Sequence, residues 1–153
     1  MFANHGSLEK HKHKIEGINS RMDGMQAAIL SVKLKYIERW TESRIQNANY
    51  YNHYLRNKSD IIIPKTHNNA KHVFHLYVIK SDIRDKLTKL LEKHGIAYGI
   101  HYPKALPFLD SYKYLSHDKK DFPVAYNLPK KILSLPLYPE LTEEMIEYIS
   151  SCL

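Results

Sequence analysis

Between Met22 and Asp60 the chain contains no proline, and apolar residues recur at Met22, Met25, Ile29, Val32, Tyr36 and Trp40, then at Ile45, Ala48, Tyr51 and Leu55. Steps of three and four residues mark an amphipathic helix that buries one stripe. A single helix of up to roughly 35 residues would run on the order of 50 Å at 1.5 Å per residue. That is too long for a small domain unless the helix joins two bodies. Asp23 places negative charge at its start, and Asn57-Lys58-Ser59-Asp60 followed by Pro64 ends the pattern. The expected organisation is therefore a polar loop over residues 1–21, a linker helix over 22–58 and a small domain over 59–153.

The remainder alternates short strands and helices. His72–Ile79 is rich in β-branched and aromatic residues and reads as a strand. Residues 82–94 read as a helix with Ile83, Leu87, Leu90 and Leu91 on one face, Asp82 as N-cap and Gly95 as its C-terminal stop. A second strand is expected over Ala97–Tyr102, ending at Pro103. Short helices follow near Tyr112–Leu115 and Pro123–Pro129, a third strand over Ile132–Leu137, and a last helix beginning at Thr142. The fold class is α+β: a long helix, then a small three-stranded, mostly antiparallel sheet covered by helices.

With 153 residues and 43% hydrophobic content the chain can build a modest core. A net charge of +7 favours an anionic partner such as a phosphorylated ligand, nucleic acid or an acidic membrane surface. No apolar run approaches the roughly 20 residues that a spanning helix needs, and the first residues lack the apolar core of a signal peptide. A cytoplasmic location is the default expectation. The lysines are scattered and no nucleic-acid module is visible, so nucleic acid is not the expected partner. The single cysteine, Cys152, supports neither a disulfide framework nor a catalytic thiol.

Two short motifs can carry chemistry. Asn19 and Arg21 precede a helix, where side-chain donors and free helix N–H groups can converge on a phosphate or pyrophosphate. From spacing alone the simpler role is that Asn19 caps the helix and Arg21 is solvated. Gly99-Ile100-His101-Tyr102-Pro103 puts an imidazole and a phenol at a strand end, a place where loops present ligand-contacting groups. The simpler role there is a half-buried pair bonded to backbone. His5, His11 and His13, interleaved with Lys10, Lys12 and Lys14, match no tetrahedral metal site, and His72 and His75 are read as structural.

Taken together, Asn4-His5-Gly6, Gly17–Asp23 with Gln26–Leu30, Lys33-Leu34 and Trp40, His72–Ile79, Gly99–Pro103 and Leu133–Leu141 resemble the C-terminal part of the DegT/DnrJ/StrS sugar aminotransferases. Five blocks in order span nearly the whole chain. These enzymes are pyridoxal-phosphate proteins of aspartate-aminotransferase-like fold (fold type I), usually homodimers, that move an amino group, commonly from glutamate, onto a keto group of a nucleotide-diphosphate sugar. The resemblance implies that Asn19 reaches the cofactor phosphate of the other subunit. It implies that Arg21 lies in the same interfacial site, facing the nucleotide diphosphate or an acidic sugar group. His101 and Tyr102 match the substrate-contacting strand end and would orient the sugar.

Transamination also needs a Schiff-base lysine, an acidic partner for the pyridinium nitrogen and a small-residue phosphate cup. In the family these lie upstream of the Asn-His-Gly segment. No lysine here sits in a Gly-rich or Ser-rich turn, and Lys12 and Lys14 are poor substitutes despite their closeness to Asn19. The expectation is a C-terminal fragment whose large cofactor domain is absent, inactive alone and binding no pyridoxal phosphate by itself, with a second copy in a homodimer or a complementing N-terminal fragment as its partner. The alternative is a non-catalytic protein that uses the small-domain fold to bind anions or nucleic acid.

Overall fold

A turn at Lys35-Tyr36 divides the helix expected over 22–58 into α1, Gly24–Leu34, and α2, Ile37–Leu55. The Tyr36 N–H donates to Lys33 O at 3.0 Å, three residues back instead of four, and this tightened turn ends the α-helical ladder. Apolar periodicity continues across such a turn, so the pattern read as one helix. The computed structural model describes all 153 residues in two compact units, Met1–Glu38 and Arg39–Leu153.

In the first unit, residues expected to form a loop make a hairpin of β1, Ser7–Glu9, and β2, Lys12–His13, with Ser7 opposite His13. His11 takes φ 64° in the turn. Gly6, at φ +70°, is pressed so closely on Ile15 that an added Cβ would stand 1.7 Å from the Ile15 carbonyl oxygen. One added at Gly17 would stand 2.2 Å from Gly6 N. Two glycines are what let these backbone segments cross. Asp23 caps α1: its Oδ1 accepts from Met25 N–H at 2.8 Å, and Gln26 Oε1 accepts from Asp23 N–H at 3.1 Å, a reciprocal capping box.

The second unit is built on β3, Tyr77–Lys80, antiparallel to β4, Ile132–Leu135, with Tyr77 opposite Leu135 and Ile79 opposite Leu133. The strand expected from His72 begins later. Phe74 takes φ 47° and its N–H donates to His72 Nδ1 at 2.9 Å, so this stretch turns before it pairs. The second strand expected, over Ala97–Tyr102, is reduced to one antiparallel bridge, Gly99 to Ser134, on the other edge of β4. A further bridge joins Ile62 to Lys80.

Helices α3, Arg84–Lys93, and α5, Glu143–Ser151, enclose the sheet, and a short α4, Pro123–Asn127, precedes β4. Asp82 is not the cap of α3. Ser81 Oγ accepts from Ile83 N–H at 3.1 Å, while Asp82 pairs with Lys131 at 2.6 Å. Gly95, at φ 67°, does close α3, since its N–H reaches Glu92 O and that of Ile96 reaches Leu91 O. Thr142 caps α5 by accepting from Met145 N–H at 3.3 Å.

The core joins Ala48, Tyr51 and Leu55 of α2 to Tyr77 and Ile79, Leu87 and Leu91, Leu133 and Leu135, and Ile146 and Ile149. Each such buried aliphatic side chain contributes roughly 1.5–3 kcal/mol relative to exposure. Beyond β4 the chain runs through Pro136 and Pro139, which have no N–H to extend a ladder. Three carbonyls there are instead held from α2. Tyr51 Oη donates to Pro136 O, Arg44 Nη1 to Leu137 O and Asn47 Nδ2 to Tyr138 O, each at 2.9 Å. No helix is long and apolar enough to cross a membrane.

Candidate functional site

In the first unit the segment carrying Asn19 is held by backbone pairing. Ile18 N–H donates to Phe2 O, His5 N–H to Ile18 O and Ser20 N–H to Ala3 O, all at 2.9 Å, with an antiparallel bridge between Asn4 and Asn19. Arg21 Nε donates to Asn19 Oδ1 at 3.1 Å, so the two residues singled out in the sequence are in direct contact. Asp23 provides the cap, and the capping role open to Asn19 does not apply. With its oxygen engaged by the guanidinium, Asn19 retains a carboxamide NH₂ donor beside an exposed cation, which suits an oxyanion. Arg21 also borders an open groove of about 580 Å³ along α1 with Gln26, Ile29 and Leu30.

The histidine-lysine run lies in and around the hairpin. Lys12 pairs with Glu9 at 2.5 Å, both largely exposed, and His13 Nδ1 stands 2.8 Å from His5 O. No group of three or more His, Cys, Asp or Glu side chains is placed to hold a metal ion.

In the second unit Gly99 and Ser134 exchange both backbone hydrogen bonds, at 3.0 and 2.8 Å. This anchors the chain just before His101. The imidazole then folds back over Gly99, where a Cβ would lie 2.4 Å from His101 Cε1. Its Nδ1 is 2.9 Å from Ser134 Oγ. Tyr102 projects outward at 71% exposure, its ring edge-on to His101 at 5.5 Å. Both side chains line a mostly apolar groove of about 500 Å³ with Leu106, Leu109 and Leu128. Lys104 stands on the same wall and reaches Asp110 at 3.3 Å, while Lys113 lies 3.1 Å from that carboxylate. Hydrogen bonds from Lys113 and Lys104 hold the Asp110 carboxyl below its ordinary range. An imidazole, a phenol and an ammonium on an apolar wall can hydrogen-bond the edges of a hydroxylated ring and pack against its face.

Ser134 escaped the sequence reading as a site residue, although a lone hydroxyl inside the apolar run Ile132-Leu133-Ser134-Leu135 was a usable signal. Arg44 and Asn47 escaped it too. They fall at helical spacing with Tyr51, and a polar residue beside a buried stripe is the mark of a carbonyl clamp.

All 153 residues match the DegT/DnrJ/EryC1/StrS aminotransferase family. The chain is 41% identical over 147 residues to a pleiotropic regulatory protein of Geobacillus stearothermophilus, a match covering 95% of the chain and 40% of that protein. It is 34% identical over 148 residues to the UDP-N-acetyl-3-dehydro-alpha-D-glucosamine 3-aminotransferase of Acidithiobacillus ferrooxidans, covering 97% of the chain and 39% of the enzyme. In three dimensions it superposes on DesV of S. venezuelae with a TM-score of 0.92 and 30% identity, over 99% of the chain and 41% of DesV. An aminotransferase from Brucella abortus gives a TM-score of 0.87 at 33% identity, over 97% of the chain and 39% of that structure. The chain thus spans about 40% of the length of the curated relatives it matches. With the sequence matched from end to end and the fold superposed over nearly all of it, the chain belongs to the DegT/DnrJ/EryC1/StrS aminotransferase family.

Proposed function

We propose that this chain supplies the small-domain part of a pyridoxal-phosphate-dependent aminotransferase that moves an amino group from glutamate to the keto carbon of a nucleotide-linked sugar, in amino-sugar or surface-polysaccharide biosynthesis. The observation that carries the proposal is the similarity over 97% of the chain to an aminotransferase acting on a UDP-linked 3-dehydro sugar. In this reading Asn19 donates its amide to the cofactor phosphate of a partner subunit, and Arg21 both steadies Asn19 and faces the nucleotide diphosphate. His101 and Tyr102 orient the sugar ring by hydrogen bonding.

The cofactor, when bound, supplies the electron sink that loosens the bonds at the amino-bearing carbon. The Asn19–Arg21 pair fits a phosphate contact, being an exposed amide donor beside a cation. The lysines near it do not fit the role of carrying the cofactor. Lys12 is paired with Glu9 in the exposed hairpin, and Lys14 follows it on the same exposed stretch. In this reading neither Lys12 nor Lys14 carries the cofactor.

The test is complementation. The chain is co-expressed with the large-domain part of a relative, supplied with pyridoxal phosphate, glutamate and a UDP-linked 3-keto sugar, and the amino sugar is measured by mass spectrometry. Product is expected from the pair and not from the chain alone. A stoichiometric adduct of pyridoxal phosphate on one lysine of the isolated chain, fixed by borohydride, would overturn the division of labour.

A further inference from the structure

Ser134 stands in the middle of β4 and is 3% exposed. Its backbone N–H and carbonyl are both committed to Gly99. Its hydroxyl has one partner, His101 Nδ1 at 2.9 Å. A buried O–H that accepts without donating leaves its hydrogen unpaired, which is disfavoured in an apolar surrounding. The surrounding on its own face of the sheet is apolar, since side chains alternate along a strand and Ser134 shares its face with Ile132, which is buried, and with Val78, which pairs opposite it. The arrangement is satisfied when the hydroxyl donates and Nδ1 accepts. Neutral imidazole then carries its proton on Nε2.

Gly99 completes the device. The ring rests where a Cβ at this position would stand 2.4 Å from Cε1, so the absence of a side chain gives the imidazole the place from which it reaches Ser134.

We propose that Ser134 is a positioning residue for His101. Its buried hydroxyl holds the ring against Gly99 in the Nε2–H tautomer, so that His101 offers a hydrogen-bond donor, rather than an acceptor, to the ligand. The inference rests on the reading of His101 as a sugar-contacting residue. It adds the direction of that contact: the group facing Nε2 is an acceptor, such as a hydroxyl or carbonyl oxygen of the sugar.

The experiment uses the full chain labelled with ¹⁵N-histidine, with two-bond ¹H–¹⁵N spectra recorded at a pH where His101 is neutral and its signals assigned through His101→Gln. The wild-type ring is expected to show an unprotonated Nδ1 and a protonated Nε2. In Ser134→Ala the two nitrogens should move toward the averaged shifts of unconstrained imidazole, and Ser134→Thr, which keeps a hydroxyl, should restore the wild-type pattern. Gly99→Ala keeps the hydroxyl and displaces the ring, so it should lose the pattern as well. Backbone amide spectra that overlay the parent establish that each variant is folded. A wild-type ring protonated on Nδ1, or a Ser134→Ala spectrum with unchanged imidazole shifts in a folded chain, overturns the proposal and leaves the aminotransferase reading standing. In the complemented enzyme, Ser134→Ala should raise KM for the sugar nucleotide severalfold more than it lowers kcat. A Ser134-dependent tautomer together with unaltered amine transfer in His101→Gln would instead overturn the sugar-contact reading and this role with it.

Discussion

The phenols of Tyr51 and Tyr77 stack at 4.8 Å inside the core and are both fully buried. Burial pushes both upward from the ordinary phenol range, with the neighbouring Tyr77 and Tyr138 adding to the effect at Tyr51. Below about pH 10 both rings are protonated in the folded and unfolded chain alike, and their contribution is complete. Above it the unfolded chain ionises them while the folded chain holds them neutral, so stability falls as pH rises. Tyr51→Phe is expected to cost about 1–2 kcal/mol near neutral pH, because the Pro136 carbonyl loses its donor. It should then lose less stability than the parent between about pH 9 and pH 11. Denaturant midpoints at the two pH values read both effects, and an equal alkaline loss in the variant would contradict the assignment. Asn47→Ala removes a buried donor from Tyr138 O and should cost about 1–3 kcal/mol with an unchanged denaturant slope. The sequence named Tyr51 as a core residue. It did not show that Tyr51, Arg44 and Asn47 hold three successive carbonyls, because those lie more than 80 residues away.

At the level of elements, local signals were reliable where the interaction is itself local. Gly95 stops α3 and Thr142 caps α5 because both acts involve residues within five positions. The break between α1 and α2 was not legible, since a turn that keeps apolar spacing leaves no proline or glycine to mark it. The strand expected over Ala97–Tyr102 was overextended for the opposite reason. Residues 97–102 have strand-like composition, but tertiary pairing with β4 is made only at Gly99. Helix α1 buries none of its residues, so its own caps matter more than its packing. Asp23→Ala is expected to weaken it by about 1 kcal/mol, seen as faster amide exchange over residues 24–34 with the rest of the chain unaffected. Gly6→Ala should disorder the hairpin, since no rotamer can move the backbone carbonyl of Ile15 away from the new methyl.

For the molecule as a whole, every residue of the hydrophobic core lies at or beyond Ala48. A chain of residues 39–153 should therefore unfold cooperatively at a denaturant midpoint close to that of the full chain. A broad, early transition in the shortened chain would show that the first unit carries core stability. Hydrophobic periodicity, turn residues and five ordered motifs determined the α+β class, the family and the identity of Asn19, Arg21, His101 and Tyr102 as the residues to watch. These are properties of neighbours along the chain or of composition, and they survive without coordinates. Tertiary structure decided that Arg21 holds Asn19, that the carbonyls after β4 are clamped from α2, and that Ser134 meets His101 over a bare Gly99. For the last two the physical reason is distance along the chain. Ser134 and His101 are 33 residues apart, and only the register of Gly99 against β4 brings a buried hydroxyl and an imidazole to 2.9 Å.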